Sequence, residues 1–335
     1  MLLSFFRKSQ LSVVILVIIM SVAIWLKTFL NEMSYPFIFD TINMPLYAIL
    51  VKYVNQSIFL SNIISFALIM AIGFYLLHLN SKFIIVKQRT YLPALFYFLI
   101  STAFIPIQRI NPAIFAAFFV LLALDHIFAI YQKSNPLDNL IRAGISLGIA
   151  SLFYAPAIPF YLIVFMGLLL LRAFALREWF VALLGIALPW GFLMLVYYWL
   201  NIDIAEIFKL VKSNLITDTE SSIDELIPII FTSAIGLPTL VSLFYLIPSM
   251  ASQKISVRKY HTLFFWLLFI GAVCFALIPT ASYEIAYILS IPLSFQLTNY
   301  FTNTRRGFWT ELLFTLIILA AIAIQIGRAS CRERV

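Results

Sequence analysis

Residues 142–172 read RAGISLGIASLFYAPAIPFYLIVFMGLLLLR, an apolar run closed by Arg142 and Arg172 and broken near its middle by Tyr154-Ala-Pro-Ala-Ile-Pro159. Proline inside a helix removes a backbone donor and clashes with the preceding turn, so one straight helix does not pass through Pro156 and Pro159. Lys and Arg collect on the cytoplasmic side of membrane segments. Two basic ends on one run therefore require two crossings, 142–156 and 158–172, each short enough to be tilted or re-entrant. This decides the direction of every apolar segment on either side of it.

Working outward, the composition points the same way. Of 335 residues, 63% are hydrophobic and only 11% charged, against about 25% charged in an ordinary globular domain. A water-soluble fold is excluded. About 20 apolar residues cross the hydrocarbon core as a helix, because backbone polar groups there must be bonded within the segment. Read this way, the chain is an all-α, polytopic transmembrane bundle of about eleven helices, at 11–30, 58–79, 91–107, 111–131, 142–156, 158–172, 179–200, 227–249, 262–279, 284–301 and 308–325. It forms one domain, 1–325. The first apolar segment follows Arg7 and Lys8 and lacks the short core and small-residue site of a cleaved signal, so it is expected to stay as a helix. The last ten residues, IGRASCRERV at 326–335, resemble a translated sequencing adapter and are set aside, which places the authentic C-terminus beyond Gln325.

With the N-terminus cytoplasmic, the inner loops hold Arg7, Lys8, Lys82, Lys87, Arg89, Lys133, Arg142, Arg172, Arg177, Lys254, Arg258, Lys259, Arg305 and Arg306. The outer segments keep Lys27, Lys52, Arg109, Lys209 and Lys212. The expected location is thus the cell inner membrane, with the lipid bilayer as the first partner. The net charge of +8 is spread over short loops rather than gathered on one face, so nucleic acid is not an expected partner.

Other classes fall away residue by residue. Cys274 lies in an apolar run and Cys331 in a polar tail, which makes neither a disulfide framework nor a thiolate metal site. No Gly-rich phosphate loop is present. His78, His126 and His261 are scattered, whereas iron-dependent membrane oxygenases need imidazoles converging at helical spacing. No metal and no cofactor are expected. Asp125 is expected to be an acid at the inner interface, paired with Lys133, Arg89 or water. Gly144 and Gly148, among Ala143, Ser146, Ala150 and Ser151, make a small face on which a second helix backbone can pack closely.

Two outer segments exceed a simple turn. In 31–57, the stretch Tyr35 to Leu50 is expected to lie at the interface, broken by Pro36 and Pro45. The other, 201–226, carries Asp203, Glu206, Asp218, Glu220, Asp224 and Glu225 and is an acidic surface that a protein partner would meet. Glu32 and Asp40, Arg109 in the turn Pro106-Ile-Gln-Arg-Ile-Asn-Pro112, and Glu284 all map to the outer rim. A carboxylate there suits a general base for an acceptor hydroxyl, and a guanidinium grips a phosphate bidentately.

The order of these features resembles the GT-C superfamily, the multi-spanning glycosyltransferases that take sugars from polyprenyl-phosphate carriers. The resemblance covers roughly residues 11–200, with further helices at 227–325. It is carried by an outer acid after the first helix, then Met44-Pro-Leu-Tyr47, Leu92-Pro-Ala-Leu-Phe96, the Arg109 turn, and Arg142 to Ala150 with the later Pro159 and Arg172. It implies Asp40 as candidate base, Arg109 as phosphate clamp, Asn111, Tyr154 and Glu284 as substrate contacts, and a polyprenyl-phosphate-linked sugar as substrate. Two positions depart from the pattern: Asp40 has no adjacent Glu, and Asn111 stands where a second acid belongs. The chain also resembles an uncharacterised family of multi-spanning proteins from Bacteroidetes. The expected function is a GT-C-like glycosyltransferase or an inactive relative. A non-catalytic scaffold or subunit of envelope biogenesis and a transporter are the alternatives, and the last needs two matched helix breaks near the midplane.

Overall fold

The computed structural model describes residues 2–7, 10–30, 42–54, 57–102, 105–217, 226–250, 253–304 and 307–332. Among them there is no strand. The chain opens with a short helix, α1 (Leu2–Phe6), followed by α2 (Leu11–Leu30), α3 (Pro45–Val54), α4 (Ile58–Phe83) and α5 (Leu92–Thr102). A 3-10 turn at Ile105–Ile107 leads into α6 (Pro112–Phe128), and α7 (Leu137–Phe153) leads through a second, Ala155–Tyr161, into α8 (Leu162–Leu171). Next come α9 (Leu176–Trp199), α10 (Ile204–Ile216), α11 (Leu226–Ser249) and α12 (Ile255–Leu277). A third 3-10 turn, Tyr283–Ile285, precedes α13 (Ala286–Asn303), and α14 (Phe308–Arg332) follows.

Three helices, Phe59–Phe83, Leu176–Trp199 and Ile255–Leu277, are long and apolar enough to cross a membrane. Others are shorter than the sequence led us to expect. α5 has 11 residues, all buried, a length of roughly 16 Å at 1.5 Å per residue. The break at Tyr154 falls where the prolines put it. It is held by a trio in which the Trp190 indole N–H donates to Ser151 Oγ (3.0 Å) and to Tyr161 Oη (2.8 Å), the two hydroxyls also bonding each other.

Hydrogen bonds and ion pairs gather the connections at two ends. At the first, Arg7 donates to the carbonyls of Phe301 (2.6 Å) and Thr304 (2.9 Å), closing the C-terminus of α13. Thr90 Oγ1 donates to Phe6 O (3.3 Å), Arg172 to Lys133 O, and the Lys259 ammonium lies 5.4 Å from the Tyr131 ring centroid. We call this the basic end. At the second, Tyr47 reaches Ile110, Tyr287 reaches Ile107, and Tyr154 reaches Glu284. We call this the Glu284 end.

The small face of α7 packs on α9 backbone to backbone. A Cβ on Gly144 would lie 2.8 Å from Ala182 O and from the Gly185 backbone, and one on Gly148 would lie 2.8 Å from Pro189 Cγ. α9 supplies a glycine of its own at the contact, since a Cβ on Gly185 would lie 2.7 Å from Ile141 O.

One expectation needs correction. Asp125 pairs with neither Lys133 nor Arg89: Lys82 Nζ lies 2.7 Å from its carboxylate, and Tyr75 Oη donates to the same group at 2.9 Å. Lys82 stands two turns from Tyr75 on the same face of α4 and reaches the acid directly. The break expected at Pro45 is where α3 opens, at a helix N-terminus where a missing N–H costs nothing; Pro36 lies outside the described residues. Within 201–226, Asp203 caps α10, its carboxylate accepting from Ala205 N at 2.9 Å.

The Asp125 carboxylate is 7% exposed and the Lys82 side chain 40%. Removing the lysine strands a buried anion, whereas removing the acid frees an ammonium that water reaches. We expect Lys82→Met to cost about 3 kcal/mol and Asp125→Asn only about 1 kcal/mol, read as unequal falls in Tm of the detergent-solubilised protein. Equal falls would refute the assignment.

Candidate functional site

The Glu284 end is built on the connection between α5 and α6. α5 stops at Thr102, and residues 105–111 run as a 3-10 turn and an irregular stretch among mostly buried side chains, where each carbonyl needs a donor. Asn111 is the N-cap of α6: its Oδ1 accepts from Ile114 N (3.1 Å) while its Nδ2 donates to Ile107 O (3.2 Å). Ile107 O also receives Tyr287 Oη at 2.8 Å, and Ile110 O receives Tyr47 Oη at 3.2 Å. Gln108 donates to Thr102 O and accepts from Thr28 Oγ1. Side chains from α2, α3 and α13 thus converge on this one turn.

Beside it lies Glu284, 2% exposed, in the turn that leads into α13. Tyr154 Oη donates to its Oε1 at 3.3 Å and Ser282 Oγ donates to its Oε2. Thr280 Oγ1 donates to Asn214 O, which ties the same turn to α10. Burial pushes the Glu284 carboxyl above the ordinary carboxylate range, and the donors on Ser282 and Tyr154 pull it part of the way back. Tyr154, Asn214, Thr280 and Glu284 line a narrow cleft with Ile42, Met44 and Pro112. Its free volume is about 10 Å³, room for a single water.

Of the residues singled out from the sequence, Tyr154 and Glu284 meet. Asn111 stands beside them, both ends of its amide engaged in the turn. Arg109 lies on the same turn, half-buried, and does not line the cleft. Asp40 and Glu32 lie outside the described residues; the chain resumes at Ile42, which lines the cleft. Among the described residues no three His, Cys, Asp or Glu side chains group as metal ligands.

Sequence reading quoted Tyr47 only within the Met44-Pro-Leu-Tyr47 motif and missed Asn214, Thr280, Ser282 and Tyr287. Tyr287 carries a usable signal, being one helical turn from Glu284. Thr280 and Ser282 precede the acid in the stretch after Pro279. Asn214 has none, because nothing in its helix marks the partner it meets.

A raised carboxyl fixes the direction of a pH effect. The folded state holds the Glu284 proton more tightly than the unfolded chain, so its contribution to stability is complete below about pH 4.3 and is lost as pH rises through the folded value. Glu284→Gln mimics the protonated acid. The Tm of this variant minus that of the wild type is therefore expected to grow as pH rises from 4 to 8, and a flat difference would show that Glu284 is not held in this way.

No curated protein and no solved structure matches the chain. Residues 26–329 match the family described as "Family of unknown function (DUF6427)", and the chain belongs to that family.

Proposed function

We propose that the chain is a multi-spanning protein of the cell inner membrane, threaded about eleven times with its N-terminus in the cytoplasm. On this reading its Glu284 end works at the outer face as a GT-C-like glycosyltransferase on a polyprenyl-phosphate-linked sugar. Immersion is supported by an inverted distribution of side chains. α9 exposes Leu183, Leu184, Leu188, Phe192 and Leu195, and α2 exposes Leu11, Ile15, Ile19, Val22 and Leu26. α13 instead buries Ser290, Ser294, Gln296, Thr298 and Asn299. Apolar rows of this extent call for a cover, and lipid covers them all at once. The threading rests on the loop charges, with the basic end as the cytoplasmic side.

The observation that carries the enzymatic reading is the buried carboxylate of Glu284, held by two hydroxyls in a cleft that Ile42, two residues after Asp40, also lines. A base works best with its pKa near the operating pH, and burial moves Glu284 in that direction. Glu284, rather than Asp40 alone, is then the carboxylate that takes the acceptor hydroxyl's proton. The hydroxyl oxygen bonds to the anomeric carbon, and the polyprenyl phosphate leaves with the bonding pair. Arg109 keeps the part expected of it, phosphate clamp, while Asp40, expected as the base, becomes a second carboxylate. The cleft as it stands admits one water, so catalysis requires it to open.

That same narrowness favours one competitor, a non-catalytic subunit of envelope biogenesis that meets a protein partner through 201–226. α10 in that segment exposes Glu206, Lys209 and Lys212.

Transfer of labelled sugar from a polyprenyl-phosphate donor, measured in membranes, separates the two. Glu284→Gln is expected to lower the rate about 100-fold or more while the protein stays folded. A wild-type chain without transfer on any such donor, together with full function in vivo of Glu284→Gln and Asp40→Asn, would leave the subunit reading. The threading is tested by cysteines at Ser134 and Asn201 in a chain without Cys274 and Cys331. Asn201→Cys should react with an impermeant maleimide in intact cells, and Ser134→Cys only after permeabilisation.

A further inference from the structure

A cavity at the basic end has no part in the site described above. It encloses about 370 Å³, the size of a small-molecule site. Its polar lining is Lys87, Lys254, Gln253, Asn299, Asn303 and Tyr245. Ile84, Ile85 and Val257 supply an apolar wall. Among the described residues no carboxylate lines it, and neither Lys87 nor Lys254 enters an ion pair.

Three features give this cavity a preference for an anion. First, Lys254 is the N-cap of α12, which has no side-chain cap, so the first-turn N–H groups and the positive end of a 23-residue helix open beside it. Second, Asn299 is 2% exposed and its amide Nδ2 has no hydrogen-bond partner, although Asn303 Nδ2 donates to its Oδ1 at 2.5 Å. A buried donor left unmatched costs stability, and a ligand oxygen would remove that cost. Third, the C-terminus of α13, whose dipole would repel an anion, already has its carbonyls at 301 and 304 engaged by Arg7. The Lys87 side is braced too: Asn80 Oδ1 accepts from Val86 N at 2.8 Å and holds the loop that carries the lysine.

We propose that this cavity binds a phosphate group, with Lys87 and Lys254 supplying charge and Asn299 Nδ2 and the α12 N-terminus supplying directed donors. Phosphate fits better than carboxylate because it presents oxygens in more than two directions, as these donors on α12, α13 and the 84–87 loop require. The volume exceeds that of a bare phosphate ion, and the wall of Ile84, Ile85 and Val257 suits the carbon portion of an ester. A phospholipid headgroup and a soluble phosphate share this chemistry.

The test measures Tm of the purified full chain in a neutral detergent, titrated separately with phosphatidylglycerol, with inorganic phosphate, and with diacylglycerol as a phosphate-free lipid. A ligand that binds the folded state raises Tm. Stabilisation by phosphatidylglycerol alone identifies a lipid site, and stabilisation by inorganic phosphate identifies a soluble one. In either case Lys87→Gln and Lys254→Gln, both surface substitutions that leave the unliganded Tm unchanged, should each weaken apparent affinity about tenfold, and Asn299→Asp should abolish it. No stabilisation by either phosphate source overturns the proposal. So does an equal response to diacylglycerol, or a phosphate response unchanged in the two lysine variants.

Discussion

The structure depends on how the turn between α5 and α6 meets its hydrogen bonds. The carbonyls of Thr102, Ile107 and Ile110 lie at the end of α5 and within residues 105–111, among mostly buried side chains. Tyr47 from α3, Tyr287 from α13, and Gln108 and Asn111 from the turn itself take up these groups. Thr28 of α2 completes the set by holding Gln108. A non-helical segment in an apolar interior survives only where protein donors surround it. The positions of α2, α3, α6 and α13 follow from that requirement, because each must bring its donor or its cap to one place.

Glu284 is a consequence of the same assembly. Once Tyr287 is committed to Ile107, the turn before α13 is held against the Tyr154 break, and the carboxylate between them loses its water. A group that costs stability when ionised is kept in place by neighbours with structural duties of their own. This juxtaposition of strongly held turn and penalised acid is the pattern by which binding and catalytic groups are maintained at some expense in stability. The two ends of the chain divide the chemistry. The Glu284 end has a tightly filled polar site, and the basic end has an open cavity beside an uncapped helix.

Much of the helix layout was legible because apolar length and proline chemistry are local. Pro156 and Pro159 break their run wherever it is placed, and the glycines of α7 advertise a close helix contact without naming it. Boundaries were less legible. α12 begins at Ile255, ahead of its apolar run, because Val257, Tyr260 and His261 are buried against neighbours. α10 was hidden among the acidic residues of its segment. The partner of Asp125 was misjudged because Lys133 and Arg89 are near in loop topology, whereas Lys82 is near in space.

The sequence by itself determined that this is an apolar helical chain, where its helices break, and which loops carry positive charge, since each follows from residue types within a few positions of one another. Only the tertiary structure decided that α9 is the partner of the α7 glycines, that Tyr154 and Glu284 meet across 130 positions, and that Asn111 caps a helix while Arg109 stays off the cleft. The reason is physical. Hydrogen bonds and close packing act over a few ångströms, and residues far apart in the chain carry no local mark of which partner the fold will bring within that range. The break that opened the sequence reading shows both sides of this: its prolines foretold the interruption, and Trp190, a helix away, holds it.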